Sequence, residues 1–143
     1  MPPDYSAHER MLASCDGGQR LIDWHGRVPT FHDAEVIEIG FGPAGIVRLR
    51  HWRSYEQSLS LAEPYDLILR LHDVVDLEIS YVVHGGILFW LLLQPPKARP
   101  ERNGYTLARS DDDFELDLEP SVGVGGFIRC RSVSVEFTTT GVA

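Results

Sequence analysis

Three observations predict an α+β domain, a mainly antiparallel sheet of about seven to eight strands behind a short N-terminal helix. Apolar and polar residues alternate with period two over most of residues 34–137, the signature of half-buried strands. Helical periodicity is confined to residues 1–30. No second long helix alternates with the strands, which disfavours parallel βαβ units and favours hairpin connections. With 143 residues, 43% of them hydrophobic and 24% charged, the chain fits a single domain, 1–143, large enough to bury a core without staples.

In the helical segment, Ser6 is placed to cap, Glu9 stands three residues on, and Met11, Leu12 and Cys15 form a short apolar stripe ending at Gly17-Gly18. A second helical turn fits Gln19–Trp24, before Gly26 and Pro29. The first hairpin pairs Glu35–Phe41 with Gly45–Arg53 around Gly42-Pro43-Ala44-Gly45. Tyr65–His72 and Val74–Tyr81 read as two strands, each with one wet face. Ile87–Leu93 is continuously apolar between Gly85-Gly86 and Pro95-Pro96, so it is expected centrally with both faces covered and Trp90 in the core.

After a loop over Gln94–Gly104 come strands at Tyr105–Arg109, Phe114–Glu119 and Gly126–Phe137. In the last, Ile128 and Cys130 share one parity and Val133, Val135 and Phe137 the other, so a bulge or bend is expected between Arg131 and Ser132.

Thirteen basic residues, all arginine except Lys97, face 21 acidic ones, a balance of −8 that disfavours nucleic acid and suits a basic partner. The N-terminal stretch lacks a signal peptide's basic start and apolar run, and the longest apolar run has seven residues, so a soluble cytoplasmic protein without membrane contact is expected. Cys15 and Cys130 show no metal-type spacing.

Six carboxylates crowd Asp111–Glu119. The alternation Phe114-Glu115-Leu116-Asp117-Leu118-Glu119 puts three of them on one strand face, roughly 6–7 Å apart. Asp111, Asp112, Asp113, Glu115, Asp117 and Glu119 are therefore the first candidates for partner binding, with Asp76 and Glu78 as a second row. Arg48, Arg50, Arg70, Arg129 and Arg131 occupy outward positions from which they can instead neutralise these rows across the sheet.

An apolar-His-Asp triplet occurs twice, Phe31-His32-Asp33 and Leu71-His72-Asp73. With Glu35 these residues are the candidates for the alternative, a small metal-dependent or His/Asp-based hydrolase. Neighbouring His and Asp on an extended strand point to opposite faces, so neither dipeptide makes a dyad alone. There is no GxSxG, and Gly123-Val124-Gly125-Gly126 has no following lysine and leads into a strand, so catalytic residues, cofactor and metal are all expected to be absent.

The run Asp23-Trp24-His25-Gly26-Arg27-Val28-Pro29-Thr30-Phe31-His32-Asp33-Ala34-Glu35-Val36 resembles the W-P-x-F-H-D-A-E-V opening of the bacterial immunity protein 50 family. Asp76-Leu77-Glu78-Ile79, the stretch Phe114–Gly123 and Ile128–Val135 are similar to its later segments, so the resemblance spans about residues 23–137. His-Gly-Arg-Val separates Trp24 from Pro29 here, and His84-Gly85-Gly86-Ile87 stands in place of a Gln-Asn-Val-Ile-like element. The resemblance implies a non-enzymatic cytoplasmic antidote that binds and silences a cognate protein toxin; it supplies no binding residues.

Overall fold

The computed structural model describes residues 4–42, 44–55, 58–80, 86–100 and 108–139. Two helices, α1 (Tyr5–Ser14) and α2 (Gly18–His25), precede six strands: β1 (Glu35–Phe41), β2 (Gly45–Tyr55), β3 (Ser58–Ser80), β4 (Ile87–Gln94), β5 (Phe114–Val122) and β6 (Gly125–Thr139). Every neighbouring pair is antiparallel, and the order β1-β2-β3-β6-β5-β4 closes into a barrel. The α+β antiparallel class is as expected, with six strands among the described residues in place of seven to eight.

The difference has a physical cause at Asp73. The expected strands Tyr65–His72 and Val74–Tyr81 are one 23-residue strand, β3, bent where Asp73 takes φ 54° and the register shifts between Val74 and Asp76. Asp73 faces the Arg131–Ser132 point at which the apolar set of β6 changes sides. The buried residues of β6 change parity there as expected, Ile128 and Cys130 against Val133 and Val135, and β3 carries a bend and a register shift beside that point. Of the expected strand Tyr105–Arg109, residues 105–107 lie outside the described residues, and Ala108–Arg109 are irregular.

The period-two residues fill the interior. Val47 and Leu49 of β2, Leu67, Leu69 and Leu71 of β3, Leu116 and Leu118 of β5, and Val133 and Val135 of β6 are all buried in one cluster. Strand β4 is not covered on both faces throughout: Leu91–Gln94 are buried, but Phe89 is 45% exposed. Trp90, expected in the core, is half-buried on the outer face and donates from Nε1 to Asp117 Oδ2 at 3.4 Å.

Strands β1 and β4 share one register pair, Glu35 with Ile87, and the preceding segment completes the seam. Asp33 N donates to Leu88 O (2.9 Å), Leu88 N to Ala34 O (2.9 Å) and Leu91 N to Thr30 O (3.0 Å). Past Leu91 the edge of β4 is met by α1, where the buried His8 accepts from Leu93 N at Nδ1 (2.9 Å) and donates from Nε2 to Pro29 O (2.8 Å). A ring that accepts on one nitrogen and donates on the other is neutral, in keeping with burial lowering its pKa.

Asp4, rather than Ser6, caps α1: its carboxylate accepts from Ala7 N at 3.0 Å, and Ser6 Oγ donates to the same oxygen. The turn between the helices docks on β6, with Val135 N donating to Asp16 O (2.7 Å). Leu12, Cys15 and Leu21 thereby enter the barrel's core cluster.

Candidate functional site

Two clefts concentrate polar side chains. The first lies on the outer face of β3, β6 and β5, where the acidic rows were expected as wet surface. That expectation is corrected for three carboxylates, because the segments 95–100 and 108–113 fold over this face and bring arginines with them. Glu115 is fully buried, accepting from Arg99 Nη2 and, at 3.1 Å, from Lys97 N. Asp113 is buried and accepts from Arg129 Nε (2.8 Å), Ser110 N (3.0 Å) and Arg131 Nη1. Burial raises the Asp113 pKa, but the Ser110 amide and the two guanidinium groups outweigh it and leave the carboxyl below its ordinary range. Asp76 is buried and accepts from Arg109 Nη2 at 2.9 Å.

The other predicted carboxylates stay near water. Asp111 and Asp112 are exposed in the turn before β5, Glu78 and Glu119 are exposed on their strands, and Asp117 is half-buried. Glu78, Asp117 and Glu119 line one open cleft of about 450 Å³, together with Pro120, Arg99 and Phe127. Of the arginines expected to neutralise the rows, Arg129 and Arg131 do so through Asp113, whereas Arg50 pairs with Asp66 and Arg70 with Glu136.

The second cleft, of about 640 Å³, opens where α2 and the segment before β1 meet β2. His25, Phe31, His32, Asp33, His51 and Trp52 are among the residues that line it. Beneath it the buried Tyr65 hydroxyl joins two rings, 2.7 Å from His25 Nε2 and 2.9 Å from His51 Nδ1, while His51 Nε2 donates to His32 O at 3.0 Å. Burial pushes both imidazole pKa values down to about 4; the neighbouring His51, Arg27 and Arg53 add to this at His25. Burial also drives the Tyr65 hydroxyl far above its ordinary value.

His51 and Tyr65 carried a legible sign. Each continues the inward parity of its strand, His51 after Val47 and Leu49, Tyr65 before Leu67 and Leu69. His25 carried none, since it arrives from α2.

No family model matches the chain, and neither a curated protein nor a solved structure does so.

The two His-Asp dipeptides do not meet. His72 lies on β3 and its Nε2 is 2.8 Å from Ser134 Oγ of β6, on the side of the barrel opposite the β1–β4 seam that holds His32 and Asp33. Asp73 is exposed at the bend of β3, and Glu35 is half-buried on β1. His32 and Asp33 do touch, Nδ1 to Oδ2 at 3.2 Å, because Asp33 has φ 65° and is not extended; the opposite-faces rule does not apply there. Both side chains of that pair are more than half exposed. Among the described residues, no group of three His, Cys, Asp or Glu comes together to hold a metal, and no helix is long and apolar enough to cross a membrane.

Proposed function

We propose that this chain is a non-enzymatic protein-binding domain, an immunity protein that acts in the cytoplasm by capturing a basic face of its cognate toxin. The carrying observation is the convergence of Glu78, Asp117 and Glu119 on one open cleft, in a chain of net charge −8. With three carboxylates against one guanidinium, Arg99, which already donates to Glu115, the cleft carries a negative balance that accelerates the arrival of a basic partner. The exposed Pro120 beside it offers apolar contact to the stem of an arriving lysine or arginine. Asp111 and Asp112 extend the negative field from the turn before β5. Asp76, Asp113 and Glu115 hold the loop that shapes the cleft and are not contact residues.

The experiment pairs the chain with the toxin domain encoded beside it. Glu78→Lys with Glu119→Lys is expected to slow association about tenfold at low salt, with the difference fading toward 0.5 M salt, where screening is over about 4–5 Å. Unchanged association at low salt removes this cleft from the interface, and a neighbouring gene set without a toxin removes the toxin from the reading.

The hydrolase alternative draws on His25, His51, His32 and Asp33 sharing the other cleft. Against it, His51 has both nitrogens engaged, and an imidazole held near 4 is a weak base at neutral pH.

A further inference from the structure

The Tyr65 network has a direction, and it ends in the cleft. A carbonyl oxygen only accepts, so the 3.0 Å contact between His51 Nε2 and His32 O places a proton on Nε2. No carboxylate is seen to hydrogen-bond either His25 or His51 among the described residues, and both are buried deeply enough to stay neutral. His51 Nδ1 is therefore bare and takes the Tyr65 proton at 2.9 Å. With its only proton used, the Tyr65 oxygen accepts from His25 Nε2–H at 2.7 Å. His25 Nδ1 is left as a bare acceptor, without a partner among the described residues, on a side chain that lines the cleft and belongs to a residue 9% exposed.

Ring faces and edges make up much of the cleft's wall, with Arg27 and Asp33 also among its lining. Phe31 and His51 stand 5.7 Å apart, His25 and His51 5.8 Å apart, and Trp52, 39% exposed, is at the rim. At about 640 Å³ the cleft is within the range of small-molecule sites, which pair apolar walls with a few fixed polar groups. Aromatic walls favour an aromatic guest at offset or edge-to-face geometry. Tyr65 and His51 fix the tautomer of His25, so the acceptor is ordered before any guest arrives.

We propose that this cleft binds a small planar aromatic molecule carrying an N–H or O–H donor, which His25 Nδ1 accepts while Trp52 at the rim takes up its rings. The site is separate from the acidic cleft and stands or falls without the toxin reading. Its selectivity follows from the fixed tautomer: a guest offering only an acceptor meets a lone pair, and one without a donor leaves Nδ1 desolvated and unpaired.

Indole and 1-methylindole test this on the full chain, because they differ in the N–H and share the ring system. Nitrogen-detected NMR of the histidine rings follows both titrations. Indole is expected to bind saturably at millimolar or lower concentration, at least about tenfold more tightly than 1-methylindole, and to shift the His25 Nδ1 resonance more than either His51 nitrogen. His25→Phe is expected to bring the two ligands to equal affinity. If that variant does not fold, the comparison on the unaltered chain still decides. Equal affinities for the two indoles, indole saturation that leaves His25 Nδ1 unmoved, or no binding by about 10 mM would each overturn the site.

Discussion

Arg99 lies over the Phe127 ring, 3.5 Å from its centroid, and donates to the fully buried Glu115. One guanidinium thus fastens the 95–100 segment to β5 through charge and to β6 through an aromatic face.

Removing Arg99 strands a carboxylate inside the protein. Arg99→Ala is expected to lower unfolding free energy by about 3 kcal/mol, read as a shift of the urea midpoint. Adding Glu115→Leu to the same chain should restore most of the loss, since the pair's worth lies largely in mutual compensation. A double variant as unstable as the sum of the singles would contradict this.

Acid should weaken the fold before carboxylates titrate fully. His25 and His51 take up protons near their ordinary value of 6.5 when unfolded but only near 4 when folded. Between those values the unfolded chain binds more protons, so stability falls as pH falls from about 6.5 to 4 and is flat with respect to these two groups above that window. Thermal midpoints across that window check the sign. Tyr65→Phe, which leaves both rings without their shared partner, is expected to cost about 1–3 kcal/mol at pH 7.

Gly17 and Gly26 both have φ of 80°, yet they should respond differently to alanine. A Cβ on Gly17 would sit 2.0 Å from the Val135 carbonyl oxygen, whereas Gly26 has nothing within 4 Å of that position. Gly26→Ala should cost about 1 kcal/mol from backbone conformation alone, and Gly17→Ala clearly more, with loss of the Asp16–Val135 hydrogen bond. Denaturant titration of the two variants side by side gives the comparison.

Cys15 and Cys130 are buried, and burial pushes both thiols up to about 12. Neither should react with a thiol reagent in the native state at pH 8 faster than the protein opens, so labelling should follow unfolding. Rapid labelling of either in the folded chain would show an exposure that the fold denies.

The antiparallel sheet was legible because Val47, Leu49, Leu67, Leu69, Leu116 and Leu118 keep one parity on strands that the core then fills. The continuity of β3 was not, because Asp73 looks like a turn residue and only the pairs on either side of it, His72 with Ser132 and Val74 with Cys130, keep the strand whole. The acidic row was legible as a row, but its covering was not. Nothing local to Glu115 announces Arg99, and Asp113 meets Arg129 and Arg131 across 16 and 18 residues of chain. The ring cleft was the least legible, since His25, His51 and Tyr65 come from a helix and two strands.

The stitch between Asp16 and Val135 joins the earliest described helices to the last described strand, and that strand fits between β3 and β5. During synthesis the helices therefore wait, with Leu12 and Leu21 uncovered, until residues beyond about 125 have left the ribosome. A nascent chain stalled short of that point lacks the strand on which the turn between the helices docks, and chaperone occupancy should persist until β6 has emerged.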